Sequence, residues 1–346
     1  MRHRSLRAEA ESKEIENLDA VVTEATAMDH NRGERIDEVV DGSREAIREA
    51  VDVEGLGDLT DDEEAWDETL AELSEQGEEA LHGELSALKQ RVERPYPSLV
   101  RLRFVTEEEL DFVPGQYARI SYGEEEPRVY SIASSPNAEE VELCIRRVPG
   151  GHLTPTLCDQ AVEGDDLFVR GPYGDEFTLL EPSPRDVVFV ATGTGVAPFK
   201  SMIDYTFEEG RDRVDGEERD VWLFLGSSWK DHLPYREAFA RRDAENDNFH
   251  FVPTLSRENY LTDWDGETDY VQQTLPKYVD EDAAGDVSGS TGTWLGTDPE
   301  TDVEARIDPT SMEVYVCGTG AMASSVAGVV EEFDLPDEHY RVESYG

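Results

Sequence analysis

Asp186-Val-Val-Phe-Val-Ala-Thr-Gly193-Thr194-Gly195-Val-Ala-Pro198-Phe-Lys decides how this chain folds. Val187 to Val190 form an unbroken apolar run, as expected of a strand covered on both faces of a parallel sheet. The run breaks at Gly193 and Gly195 into a segment with Phe199, Met202 and Ile203 at helical spacing. A strand that passes into a helix through two glycines lets backbone amides approach a diphosphate at the positive end of the helix. It is not a Walker loop, because Lys200 follows Phe199 rather than a glycine. Nor is it the six-residue Gly-x-Gly-x-x-Gly form, since Pro198 stands where the last glycine would. A tight strand-to-helix turn alone would also account for the two glycines.

Toward the C-terminus the pattern repeats. Strand-like runs at Val221–Gly226, His250–Leu255 and Val314–Cys317, and a last one ending at Glu343, alternate with helical stretches near 235–242, 270–275 and 321–333. Strict alternation predicts a doubly wound parallel sheet over 184–346. Cys317-Gly318-Thr319-Gly320 places a second glycine turn at the carboxyl end of a strand, the edge where such sheets bind ligands. Cys317 could equally be a small buried hydrophobe. Ser256 and Arg257 follow another strand, with Tyr270 and Gln272 further on; together they could grip a 2′-phosphate and stack on adenine. Residues 280–310, rich in Gly, Ser, Thr and Asp, read as a surface insertion.

Toward the N-terminus, short strands are expected at Leu85–Val92, Leu99–Phe104, Tyr117–Tyr122, Val129–Ala133, Glu142–Arg147 and Asp166–Arg170. They predict a small antiparallel β-barrel over 82–182. Within it, Arg128-Val-Tyr130-Ser131 carries an arginine, an aromatic ring and a hydroxyl on an extended segment. Alternation puts Arg128 and Tyr130 on one face, Val129 and Ser131 on the other. A guanidinium binds a diphosphate bidentately, a phenol packs on a flat ring, and a hydroxyl meets a ring nitrogen or carbonyl. An ordinary edge strand is the plain alternative. Gly150-Gly151-His152-Leu153-Thr154 opens a short helical stretch.

Residues 1–80 differ from the rest. Ile36, Val39, Val40 and Ile47 have rough helical spacing, Thr60 to Glu63 reads as a capping box, and Trp66, Leu70 and Leu73 share a helical face. Two or three helices are expected here, with the first ~30 residues disordered. The segment reads as an acidic extension that is either solvated or docks on a partner or the main body.

Composition narrows the function. The chain has 346 residues, a formal net charge of −49 and only five lysines, Lys13, Lys89, Lys200, Lys230 and Lys277. An acidic, lysine-poor surface suits a salt-rich cytoplasm, where the Debye length at ~1 M is about 3 Å and self-repulsion is screened. Nucleic-acid binding needs a basic footprint that this chain lacks. Cys144, Cys158 and Cys317 have neither zinc spacing nor iron–sulfur spacing, so no metal site is expected. With no apolar run of about 18 residues and no signal-peptide stretch after Met1, the expectation is a cytoplasmic protein with no membrane span.

Together these segments resemble the ferredoxin–NADP reductase family of flavoproteins. Pro114-Gly115-Gln116-Tyr117 with Arg128-Val-Tyr130-Ser131 is similar to its flavin signature. Gly150 to Thr154 resembles its second phosphate-binding turn, Gly193 to Pro198 its pyridine-nucleotide turn, and Cys317-Gly318 with Met322 its nicotinamide turn. Phe224-Leu-Gly226 through Tyr235-Arg-Glu237 also matches. Ser256, Arg257, Tyr270 and Gln272 resemble the 2′-phosphate site of plant-type members, and Val342-Glu343-Ser344-Tyr345 their ending. Residues 1–80 lie outside the resemblance.

The resemblance implies an FAD-binding barrel and an NADP-binding α/β domain. Electrons would pass between NADP(H) and ferredoxin or flavodoxin by hydride transfer at flavin N5. It implies that Arg128 and the amides of Gly151 to Thr154 hold the FAD diphosphate, that Tyr130 packs on the isoalloxazine, and that Tyr345 covers its other face. Ser131 and Glu343 would form a polar link near the reacting atoms, and Cys317 would touch the nicotinamide edge. Gly346 makes Tyr345 penultimate rather than terminal. Two alternatives stay open: an NAD(P)H reductase serving an oxygenase or free flavin, and a non-catalytic flavin-binding electron-transfer subunit.

Overall fold

A computed structural model of the chain describes residues 5–29, 63–258, 264–287 and 289–345. The expectations for Ile36 to Ile47 and for most of the Thr60 capping box lie outside the described residues.

Six antiparallel strands form the first domain: β1 (Glu16–Ala27), β2 (Leu99–Thr106), β3 (Tyr117–Tyr122), β4 (Arg128–Ser131), β5 (Val141–Arg146) and β6 (Asp166–Tyr173). Their spatial order is β4-β3-β6-β1-β2-β5, and a bridge between Ile132 and Leu143 brings the two ends together, so the barrel is nearly closed. Inward side chains such as Leu18, Val22, Leu102, Phe104, Ile120, Leu143 and Val169 fill it.

Two expectations fail here. Residues 16–27 are neither disordered nor part of an outlying extension. They form β1, paired with β6 on one side and β2 on the other. Leu18, Ala20 and Val22 alternate into the core while Asp19 and Val21 face out. That alternation is the signature of a half-buried strand, but it sits in an acidic, poorly apolar stretch. The other failure is Leu85–Val92, which is not a strand but the end of the helix Glu79–Val92. Leu85 and Leu88 are buried at the i, i+3 spacing of one helical face. The preceding helix Glu63–Gln76 buries Trp66, Thr69 and Leu73, again at 3- and 4-residue spacing. The two helices pack together, with Lys89 Nζ 2.7 Å from Asp67 Oδ1.

These helices therefore belong to a long insertion between β1 and β2. Its ends are tied where it leaves and rejoins the barrel. The buried carboxylate of Asp29 accepts from the Ser98 amide (2.9 Å) and hydroxyl (2.7 Å), and Met28 N–H donates to the Leu99 carbonyl (2.8 Å).

The second domain is a parallel sheet. After β7 (Asp186–Thr192) come a small hairpin, β8 (Arg213–Val214) and β9 (Glu217–Glu218), then β10 (Val221–Ser227), β11 (Phe249–Leu255), β12 (Met312–Thr319) and β13 (Tyr340–Tyr345). The order β11-β10-β7-β12-β13 reverses direction between β7 and β12. That reversal opens a crevice at the carboxyl ends of the strands. The helices Val196–Glu208 and Gly320–Glu332 begin at that crevice. β7, β10 and β12 are buried on both faces, consistent with their continuous apolar runs.

The 280–310 segment is more than a surface insertion. Ile307 is fully buried, bridges Val279, and packs in the same core as Trp222, Tyr278 and Val314. No helix among the described residues is long and apolar enough to cross a membrane.

Candidate functional site: two cavities that share a wall

Two cavities meet at the crevice. The first has about 880 Å³ and lies between the barrel and the ends of β7, β12 and β13. All four residues of β4, Arg128, Val129, Tyr130 and Ser131, line it, as do Gly150 to Thr154 from the second glycine turn. β4 is the short edge strand at the cavity's rim. From the other domain come Cys317, Glu343 and Tyr345. Cys317 and Glu343 are register partners on adjacent parallel strands, which accounts for residues 26 positions apart meeting here.

The lining fits a flavin nucleotide. The Tyr130 hydroxyl is buried with no hydrogen-bond partner from the described residues, and burial pushes its pKa up. A buried phenol left in that state calls for a polar ligand atom. The helix Leu153–Gln160 starts at the cavity, and the amides of its first turn have no intrahelical partners. Thr154 Oγ1 is already engaged, accepting from Val148 N–H at 2.9 Å, so Thr154 would offer its amide rather than its hydroxyl. Arg128 is half exposed and donates to the Pro127 carbonyl at 3.1 Å, with Glu126 at 3.5 Å. Its guanidinium is held at the rim by weak local contacts that a diphosphate would outcompete.

Burial shifts the groups facing this cavity. It raises the Cys317 thiol, with the neighbouring Glu343 charge adding to the effect, and it raises the Glu343 carboxyl. Cys317 is therefore a neutral thiol. Tyr345 caps the cavity's far side. Its hydroxyl accepts from Gly195 N–H (3.1 Å) and donates to the Thr192 carbonyl (2.8 Å), so it is latched to the first glycine turn.

The second cavity, about 410 Å³, runs along the carboxyl ends of β7, β10 and β11. Gly193, Thr194, Ser256, Arg257, Tyr270 and Gln272 all line it. Tyr270 is 61% exposed, free to stack on a flat ring. The other four residues expected beside NADP do not line this cavity. Gly195 and Cys317 face the first cavity, and Pro198 is buried in the first turn of its helix. Gly318 backs the wall, close to Thr192 and Met322.

Two glycines are required by contact rather than by ligand. Gly115 has φ +101°, and a Cβ there would overlap the Phe177 carbonyl. A Cβ on Gly195 would overlap the Cys317 carbonyl oxygen, because the turns after β7 and β12 touch. Backbone cannot retreat as a side chain can, so Gly195→Ala should cost about 1–3 kcal/mol of stability from overpacking. Thermal unfolding of the purified variant measures it.

Several lining residues lie outside the motifs. Arg146, at the end of β5, and Thr194 line both cavities and so mark their junction. Ser227 ends β10, and Ser228 and His232 follow it. Ala87, Gln90 and Arg94 come from the helical insertion. The first group carried a signal in its position at strand ends; the insertion carried none.

Comparison with known proteins follows the same division. Residues 95–177 match the oxidoreductase FAD-binding domain and residues 189–328 the oxidoreductase NAD-binding domain. The chain is 30% identical over 239 residues to ferredoxin–NADP reductase B of Sorangium cellulosum, covering 68% of this chain and 85% of that one. It is 30% identical over 191 residues to the phenol hydroxylase P5 protein of Acinetobacter pittii, covering 55% of this chain and 52% of the relative. Across this and two further relatives the chain spans 50% to 62% of their length. The fold is that of a ferredoxin–NADP+ reductase from Neisseria gonorrhoeae solved with FAD and NADP, with TM-score 0.54 and 19% identity, covering 72% of this chain and 93% of that structure.

Proposed function

The chain belongs to the ferredoxin–NADP reductase family of flavoproteins, and from that premise we propose that it carries electrons between NADP(H) and a one-electron protein carrier, ferredoxin or flavodoxin, through bound FAD. The observation that carries this reading is the shared wall of the two cavities at Arg146 and Thr194. Ligands held in the two cavities would come into contact there, a flavin in the larger and the nicotinamide of a nucleotide held in the smaller. FAD supplies the redox chemistry, since a flavin exchanges electron pairs with nicotinamide and single electrons with an iron–sulfur or flavin protein.

The chain's own residues bind and orient. Arg128 and the amides of Gly151 to Thr154 hold the FAD diphosphate. Tyr130 offers its unpartnered hydroxyl, and Ser131 and Glu343 approach the reacting edge from opposite domains. Tyr345 covers the flavin face until its latch to Gly195 and Thr192 opens. Ser256 and Arg257 take the 2′-phosphate, and Tyr270 stacks on adenine.

Arg257→Ala tests the nucleotide assignment. Losing a charge-assisted bond to phosphate should raise KM for NADPH about 10-fold or more and leave KM for NADH nearly unchanged. Equal effects on both would sink the NADP assignment.

A second reading is supported by the relatives named as phenol 2-monooxygenase and propane 2-monooxygenase reductase components. It keeps the two cavities and replaces ferredoxin by an oxygenase. Steady-state turnover with each acceptor decides between them. A purified protein that is colourless and inert toward ferricyanide with NADPH would instead favour a non-catalytic subunit.

A further inference from the structure

The helical insertion between β1 and β2 forms a wall of the nucleotide cleft. Ala87 and Gln90 lie on one face of the helix Glu79–Val92, one turn apart, and Arg94 follows four residues on; all three line the smaller cavity. The opposite side of the hairpin is occupied by its own apolar packing through Leu85 and Leu88. The insertion rejoins the barrel at Ser98 and Leu99, which also line the cavity. Arg94 reaches across to the second domain, where its Nη1 lies 3.0 Å from the ring nitrogens of His232. A guanidinium only donates, so a ring nitrogen of His232 accepts from it.

Charge gives this wall a purpose. The chain carries 80 acidic and 31 basic residues. Among the described residues the smaller cavity inverts that ratio: Arg94, Arg146 and Arg257 line it against a single carboxylate, Asp269. That carboxylate is itself held by Lys277 at 2.6 Å. A cleft with three arginines in so acidic a protein is built for a polyanion. The strand order places Arg94 within it. β10 lies between β7, whose end carries Gly193 and Thr194, and β11, whose end carries Ser256 and Arg257. His232 follows β10, so Arg94 stands between the glycine turn and the arginine assigned to the 2′-phosphate.

We propose that the insertion between β1 and β2 is part of the NADP(H) site, with Arg94 binding a phosphate of the dinucleotide and Gln90 contacting the same ligand from the helix. The proposal rests on the cleft being the NADP(H) site. In it, Arg94 donates to an anionic phosphate, a charge-assisted bond stronger than one to a neutral acceptor. The bound nucleotide would then bridge the insertion and the parallel-sheet domain.

The test uses the full-length FAD-loaded protein and reads binding rather than turnover. NADP+ is titrated calorimetrically into wild type, Arg94→Ala and Arg94→Lys, and hydrogen exchange is followed with and without NADP+. Arg94→Ala should weaken NADP+ about 10-fold or more, with part of the affinity kept in Arg94→Lys. Amides of residues 79–92 should gain protection together with those of 193–199. An arginine that merely straps the hairpin to His232 would lower the melting temperature and leave the NADP+ affinity and the exchange of 79–92 unchanged. That result overturns the proposal while leaving the cleft's assignment intact. Failure of the wild type to bind NADP+, with no protection at 193–199, overturns the cleft's assignment itself.

Discussion

Lys277→Met should destabilise the protein by about 3–5 kcal/mol near neutral pH, the usual cost of removing one partner from a buried ion pair. Lys277 is almost wholly buried and its ammonium lies 2.8 Å from Glu267 and 2.6 Å from Asp269. Glu267 is fully buried and also accepts from the Tyr278 hydroxyl and the Glu300 amide, both at 2.8 Å. Methionine fills the same space but leaves these carboxylates without their cation. Burial alone would lower the lysine's pKa, but its bonds to Asp269 and Glu267 outweigh burial and raise it.

The sign of the pH dependence follows. A raised lysine pKa contributes stability that is complete below the unfolded value near 10.5 and is lost as pH rises through the folded one. Methionine carries no such group, so the deficit should be full at pH 8 and shrink as pH rises through the lysine's folded value. Urea unfolding of both proteins at pH 8 and above pH 10.5 measures this. A loss under about 1 kcal/mol at pH 8, or one that grows at the higher pH, would contradict the ion-pair account. Because Asp269 and Tyr270 line the nucleotide cleft, the same variant should also weaken NADP+ binding.

Ser131→Ala should slow reduction of the bound flavin by NADPH about 10²-fold while FAD stays in place, the size of effect seen when one positioned hydrogen-bond donor is removed from a reacting centre. Ser131 pairs with Tyr117 in the β3–β4 register and faces the larger cavity with Cys317, Glu343 and Tyr345. Its burial is only partial, so deleting a hydroxyl there should leave folding almost untouched. Stopped-flow bleaching of the flavin band reads the rate, and the absorbance ratio of flavin to protein reads occupancy. A bleaching rate within twofold of wild type would remove Ser131 from the chemistry.

The motif residues were legible because each stands at the end of a strand, where local pattern and function coincide. Arg128 to Ser131 and Gly150 to Thr154 line the larger cavity, and Ser256 with Arg257 the smaller. The failures have a different cause. β1 was hidden because acidic residues on its outer face lower the apolar content of 16–27, although the inward alternation at Leu18, Ala20 and Val22 is regular. Leu85–Val92 was misread because Leu85 and Leu88 alone do not distinguish a short strand from a helical face. Nor does the turn's local sequence show that the Gly195 amide bonds Tyr345 or that its missing Cβ makes room for Cys317.

By itself the amino-acid sequence determined the two-domain class, the barrel followed by the parallel sheet, and the turns that face a ligand. These depend on apolar period and on glycine at strand ends, which are local properties of the chain. Only the tertiary structure decided that the cavities share Arg146 and Thr194, that Cys317 lies beside Glu343, and that Arg94 crosses to His232. Those meetings depend on strand order and on where a long insertion returns, and no local pattern encodes the distance between residues that are brought together only by the pairing of other strands.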